Sequence, residues 1–201
     1  LGLDSRGRVG RDRAQGPSPP RRGVLTSVGV VTMSDSKPIV DEGIVWIDGE
    51  VLGARAATVS VFDRGFTLGD GVFETLLLRD AIPFAWTRHL ERLTSAADQL
   101  GLVLPCDTHG LRSVVDELVA VWSAAGGSDG RLRVTLTRGD HLPSSSGEAT
   151  LVVTLTPLGA IPATASVLRV PWVLNERSAT VGIKTTSYAE HVRALAKAHT
   201  V

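Results

Sequence analysis

Lysine is scarce in this chain: Lys37, Lys184 and Lys197 stand against eighteen arginines. Of the three, Lys184 has the most consequential surroundings. It follows the apolar approach Val181-Gly182-Ile183 and precedes a helix start by a few residues. Both features disfavour an ammonium group. Only the neutral amine attacks a carbonyl carbon, so Lys184 has the setting of a lysine that bonds covalently to an aldehyde. Taken alone, a lysine in such a loop is more often plain surface. His89 and Arg92 lie three apart on a stretch with helical spacing and share one face, with Arg88 on its flank. An arginine fork suits a phosphate through two parallel hydrogen bonds; a solvated basic face fits the pair as well. In the run from Asp63 to Glu74, Gly65, Gly69 and Gly71 let backbone turn sharply or approach a ligand. Gly69-x-Gly71 by itself is a weak phosphate-loop signal, because no helix with the dinucleotide fingerprint follows.

The elements that must position these residues are legible from period and punctuation. Ile44 to Ile47 and Glu50 to Leu52 flank Asp48-Gly49, the signature of a tight hairpin. Val72 to Leu78 is an apolar, β-rich run, and Arg79-Asp80 leads into Ile82 to Trp86 as a second hairpin. Leu90, Leu93, Ala97 and Leu100 recur at helical spacing, with Thr87 as start cap and Gly101 as stop. A second helix spans about Thr108 to Ala124, with Leu111, Val115, Leu118 and Trp122 on one side and Gly126-Gly127 ending it. Two strands follow, Leu132 to Thr137 and Thr150 to Thr156. Ser166 to Val173 reads as a further strand and Leu174 to Gly182 as a loop. Ser187 to Glu190 has the spacing of a capping box opening a last helix. Runs of strands and helices in this order predict an α+β class.

The domain expectation is a leader without packed structure at 1–40, a small α+β domain at 41–160, and the start of a second domain at 161–201. The leader rests on six arginines between Arg6 and Arg22 set among Gly16, Pro17, Pro19 and Pro20, with no apolar period; Met33 is the only methionine. The second domain rests on packing: one strand and one helix cannot close a core, so this part reads as truncated at Val201.

Over the 201 residues, 21 basic and 21 acidic side chains balance, so no overall field favours nucleic acid or an anionic membrane. No apolar run approaches the roughly 20 residues of a membrane-spanning helix. The single Cys106 excludes an internal disulfide framework and fits a reducing, cytoplasmic setting.

Three motifs, in order, carry a resemblance: Asp63-Arg64-Gly65-Phe66-x-x-Gly69-Asp70-Gly71-Val72-Phe73-Glu74, then His89-x-x-Arg92-Leu93, then Gly182-Ile183-Lys184 before Tyr188. Together they resemble the class IV aminotransferases, the fold-type IV pyridoxal-phosphate enzymes that include branched-chain and D-amino-acid aminotransferases and aminodeoxychorismate lyase. Asn175 to Glu190 looks closest to bacterial aminodeoxychorismate-lyase-like members. The resemblance implies the small N-terminal domain of that fold plus the first strand and helix of its second domain. It implies pyridoxal 5'-phosphate as cofactor, no metal, and a homodimer. Lys184 becomes the cofactor-linked lysine and proton shuttle, and Arg92 the ligand of the cofactor phosphate. Tyr188 falls near the cofactor ring. Phe73 stands where several relatives have an active-site tyrosine, so a hydroxyl role there is lost. Arg138 and His141 fall at the start of the family's substrate-side loop, where either can bind a carboxylate, although the second arginine turn of well-characterised lyases is absent. The implied activity is conversion of 4-amino-4-deoxychorismate to 4-aminobenzoate and pyruvate, in folate biosynthesis. The alternatives are a branched-chain or D-amino-acid aminotransferase, and, in another class, a non-catalytic dimerisation domain or inactive fragment.

Overall fold

The computed structural model describes residues 42–145 and 147–200, so the leader expected at 1–40 lies outside the described residues. Its centre is a six-stranded antiparallel sheet in the order β2-β1-β6-β5-β3-β4. The strands are β1 Ile44–Ile47, β2 Glu50–Gly53, β3 Gly71–Arg79, β4 Ile82–Pro83, β5 Gly130–Thr137 and β6 Thr150–Thr156. Among the described residues, four helices accompany them: α1 Arg64–Leu68, α2 Trp86–Gln99, α3 Thr108–Ala124 and α4 Ala189–Ala198. None is long and apolar enough to cross a membrane. The mixed strand-and-helix class matches the expectation from pattern.

Period 2 decides which side of the sheet is core. Leu132, Val134 and Leu136 of β5 and Leu151, Val153 and Leu155 of β6 are buried on one face. They meet Leu93, Ala96 and Ala97 of α2 and Leu111, Val115, Leu118 and Trp122 of α3. The alternate residues of β5, Arg131, Arg133, Thr135 and Thr137, face away from this core.

The hairpin at Asp48-Gly49 forms as expected, with φ of 52° and 86°, and Asp80-Ala81 makes the same kind of turn at 50° and 59°. Gly101, at φ 61°, ends α2 by donating to Asp98 O while Leu102 donates to Ala97 O. This is a Schellman stop, and the left-handed backbone it needs favours glycine.

Four local expectations fail. β4 ends at Pro83, and Trp86 opens α2 instead of closing a strand; Ala85 at φ 51° is the cap residue and Thr87 lies inside the helix. The capping box at Ser187 does not form: Tyr188 caps α4 without a side-chain bond, and Ser187 Oγ donates to Gly69 O. Ser166 to Val173 forms no strand, with Val167 95% and Val173 89% exposed. A lone β-rich run has nothing to ladder against there. The short α1 was not anticipated; Asp63 creates it by accepting from Gly65 N at 2.7 Å.

Candidate active site

β4 pairs only with Leu78 and Arg79, which leaves the first half of β3 with an open edge. The segment Lys184–Thr186 fills it. Phe73 N donates to Lys184 O at 3.1 Å, Thr186 N donates to Gly71 O at 2.8 Å, and Thr185 bridges to Val72. Thr185 is buried beneath, so Lys184 is held by main chain to the central part of the sheet.

The Lys184 side chain is half-buried, and among the described residues no carboxylate pairs with it. Its Nζ lies 4.3 Å from the Phe73 ring centroid and donates to Tyr188 Oη at 3.4 Å. Phe73 and Tyr188 meet edge to face at 5.2 Å. Arg133 stacks 3.6 Å over the Phe73 ring and donates from Nε to Thr135 Oγ1 at 3.0 Å. Burial, and then the neighbouring Arg131, push the Arg133 guanidinium below its ordinary range, with Tyr188 opposing.

On the core side of β3, Glu74 reaches α2. Arg92 donates from Nε to Glu74 Oε1 at 3.0 Å and from Nη2 to Oε2 at 2.7 Å. His89 Nδ1 lies 2.7 Å from Oε2, and a carboxylate can only accept, so this contact requires the ring proton on Nδ1. Burial pushes the Glu74 carboxyl up, but the hydrogen bonds from Arg92 and His89, and their charges, outweigh it and hold the group below the usual range. The same fork raises Arg92. Glu74, Arg92, Gly182 and Lys184 together line a cavity of about 270 Å³. Lys184 and Arg92, 92 positions apart in the chain, thus both border one space.

The other expected residues are placed differently. Arg138 is buried; its Nε and Nη2 donate to Asp70, Nη2 also to Leu100 O at 2.7 Å, and Nη1 to Gly101 O. With all three nitrogens engaged, Arg138 ties the glycine segment to the end of α2. His141 is half-buried beside Gly147, its Nδ1 without a hydrogen bond among the described residues. Neither lines the cavity of Lys184 and Arg92. Phe73 lies under the lysine amine, and Tyr188 borders a second hollow with Gly69 and Thr186.

Sequence reasoning missed Glu74 as a partner of the His89–Arg92 face. The signal was present: Glu74 has the inward parity of Val72, Leu76 and Leu78, and a charge at that position needs a partner. Arg133 left no comparable trace, because its outward parity looks like ordinary surface.

Comparison with known proteins agrees with the motifs. The family model described as amino-transferase class IV matches residues 71–201. The D-alanine aminotransferase of Listeria innocua is 33% identical over 99 residues, which are 49% of this chain and 33% of that protein. The bifunctional aminodeoxychorismate lyase / D-amino acid transaminase of Mycobacterium tuberculosis is 36% identical over 96 residues, 48% of this chain and 33% of that protein. Among solved structures, a hypothetical aminotransferase from Mycobacterium tuberculosis in its PLP-bound form superposes with a TM-score of 0.65 at 27% identity, covering 79% of this chain and 59% of that one. The matched stretch thus spans about a third of the curated relatives' length.

Proposed function

Because this chain belongs to the class IV amino-transferase family, we propose that it binds pyridoxal 5'-phosphate through Lys184 and Arg92 and acts on a substrate bearing a primary amine. The cavity that these two residues line carries the reading. Its donor set fits the cofactor. Lys184 offers an amine that no carboxylate engages among the described residues, as an aldehyde requires. Arg92 keeps Nη1 without a hydrogen bond among those residues, as a phosphate oxygen requires. When bound, the cofactor supplies a pyridine ring that takes up the electron pair left when a bond at the substrate's amino carbon breaks.

The chain's own residues supply the rest. Lys184 would hold the cofactor aldehyde through Nζ and, once the substrate's own amine has displaced that nitrogen, would accept the proton from the substrate carbon. Tyr188 Oη fixes the direction of that amine, and the Phe73 ring closes off water beneath it. Arg92 anchors the opposite end, so the reacting carbon is presented in one orientation.

The substrate we favour is 4-amino-4-deoxychorismate, released as 4-aminobenzoate and pyruvate. Support comes from the bifunctional lyase of Mycobacterium tuberculosis and from the run Asn175 to Glu190. A second reading, D-amino-acid transamination, is favoured by the Listeria innocua relative. Both readings take the working unit as a homodimer, which light scattering of the full-length protein checks. One assay with both substrate types separates the activities, through an aromatic amine plus pyruvate on one side and a 2-oxo acid requiring an amino acceptor on the other. If neither substrate turns over, both readings fail. Borohydride reduction of the loaded protein is expected to fix the cofactor on Lys184, and label on Lys197 would refute the assignment.

A further inference from the structure

Resting on Arg92 as the phosphate ligand, we propose that Glu74 is the positioning residue that pre-sets Arg92 and gives the site its preference for a phosphorylated over an unphosphorylated cofactor. Glu74 sits in the buried stripe of β3, 2% exposed, between Val72 at 0% and Leu76 at 2%. A carboxylate in that stripe needs complete compensation. All of it comes from one helix face, through Arg92 Nε, Arg92 Nη2 and His89 Nδ1.

The exposure of the two partners is unequal. The Glu74 side chain is 3% exposed and that of Arg92 61%. An exposed surface ion pair contributes little, and a well-made buried pair hides both charges. Here a hidden carboxylate grips the inner edge of a guanidinium whose outer nitrogen, Nη1, has no hydrogen bond among the described residues. Arginine loses much rotamer freedom when it is pinned to a ligand. With Glu74 holding two of its nitrogens, that freedom is already lost before an anion arrives, and binding tightens accordingly. His89 braces the same Oε2 from the preceding turn of α2, leaving the carboxylate one orientation.

Simple charge counting predicts the opposite effect. Glu74 neutralises the one formal cation nearest the expected phosphate, so its removal makes the cavity more positive. If net charge governs, Glu74→Gln tightens phosphate binding; if orientation governs, Glu74→Gln weakens it.

The experiment titrates the cofactor-free, full-length protein with pyridoxal 5'-phosphate and, separately, with pyridoxal, following absorbance. Glu74→Gln is expected to raise Kd for the phosphorylated form by about ten- to a hundredfold, the range typical when a ligand-orienting partner is removed, and to leave pyridoxal binding unchanged. Arg92→Ala is expected to lose the same preference, and the double variant Glu74→Gln/Arg92→Ala no more than Arg92→Ala alone. Unchanged or tighter phosphate binding in Glu74→Gln, with Arg92→Ala impaired, overturns the proposal for Glu74. Retention of the preference in Arg92→Ala removes Arg92 as phosphate ligand, a separate failure of the reading beneath it. Should Glu74→Gln not fold, Glu74→Asp keeps the buried charge one methylene short of the fork and faces the same titration. Failure of both to fold while Arg92→Ala stays folded makes Glu74 a stability group and overturns the proposal as well.

Discussion

Asp63 receives three hydrogen bonds of 2.7 Å, from Gly65 N, Thr137 Oγ1 and Thr150 Oγ1, and is 1% exposed. One side chain therefore caps α1 and pins it to β5 and to the start of β6. Asp63→Ala leaves those donors without an acceptor in a buried place and is expected to lower stability by about 2–4 kcal/mol, read by urea unfolding; a change within 0.5 kcal/mol, the ordinary scatter of surface substitutions, contradicts this role. Gly65 belongs to the same joint: a Cβ there would meet Thr137 Cγ2 and Asp63 Oδ1. The sequence made these positions visible as a motif but not as a joint, because the threonines that complete it lie more than 70 residues away. Lys184 and Arg92 were legible individually from rarity and residue type. Their shared cavity was not, since it depends on the edge that β4 leaves open.

At the scale of elements, α2 is fixed at both ends by different chemistry. Near its start, His89 and Arg92 clamp Glu74; at its end, Arg138 donates to Leu100 O and Gly101 O, where the helix dipole favours a cation. Arg138→Ala leaves Asp70 half-compensated and the last carbonyls without their donor. The expected loss is about 2–4 kcal/mol in thermal or urea unfolding, with cofactor affinity following only as far as α2 shifts. Gly101→Ala forces an L side chain into the left-handed region with no steric neighbour within 4 Å, so the expected loss is only about 1 kcal/mol. The helices were legible because period and stop signals agree; α3 runs over the predicted Thr108 to Ala124. The residues from Ser166 to Val173 have strand propensity but no partner strand, and propensity without pairing decides nothing. The Ser187 capping box fails for a comparable reason: Gly69 O, distant in sequence, takes the hydroxyl first.

For the whole molecule, two ion-paired carboxylates tune acid stability. Burial raises Asp70, but hydrogen bonds and charge from Arg138 and Arg64 outweigh it, and Glu74 is likewise held low. A carboxyl depressed by folding contributes stability that is fully present above its unfolded pKa and is lost as pH falls through its folded value. Unfolding midpoints in urea are therefore expected to be flat near neutrality and to drop below about pH 4. The drop is expected to be smaller in Glu74→Gln, and an identical acid profile would count against the ion-pair account. The two main-chain hydrogen bonds that lay Lys184–Thr186 along β3 have a kinetic corollary. The amine rides on a short peripheral strap, which can peel away without the sheet melting. The amide protons of Phe73 and Thr186 should then exchange with solvent in step, sooner than that of Leu76 deeper in the ladder. Once an aldehyde is fastened to position 184, both should slow together, making the sheet edge a clock for occupancy.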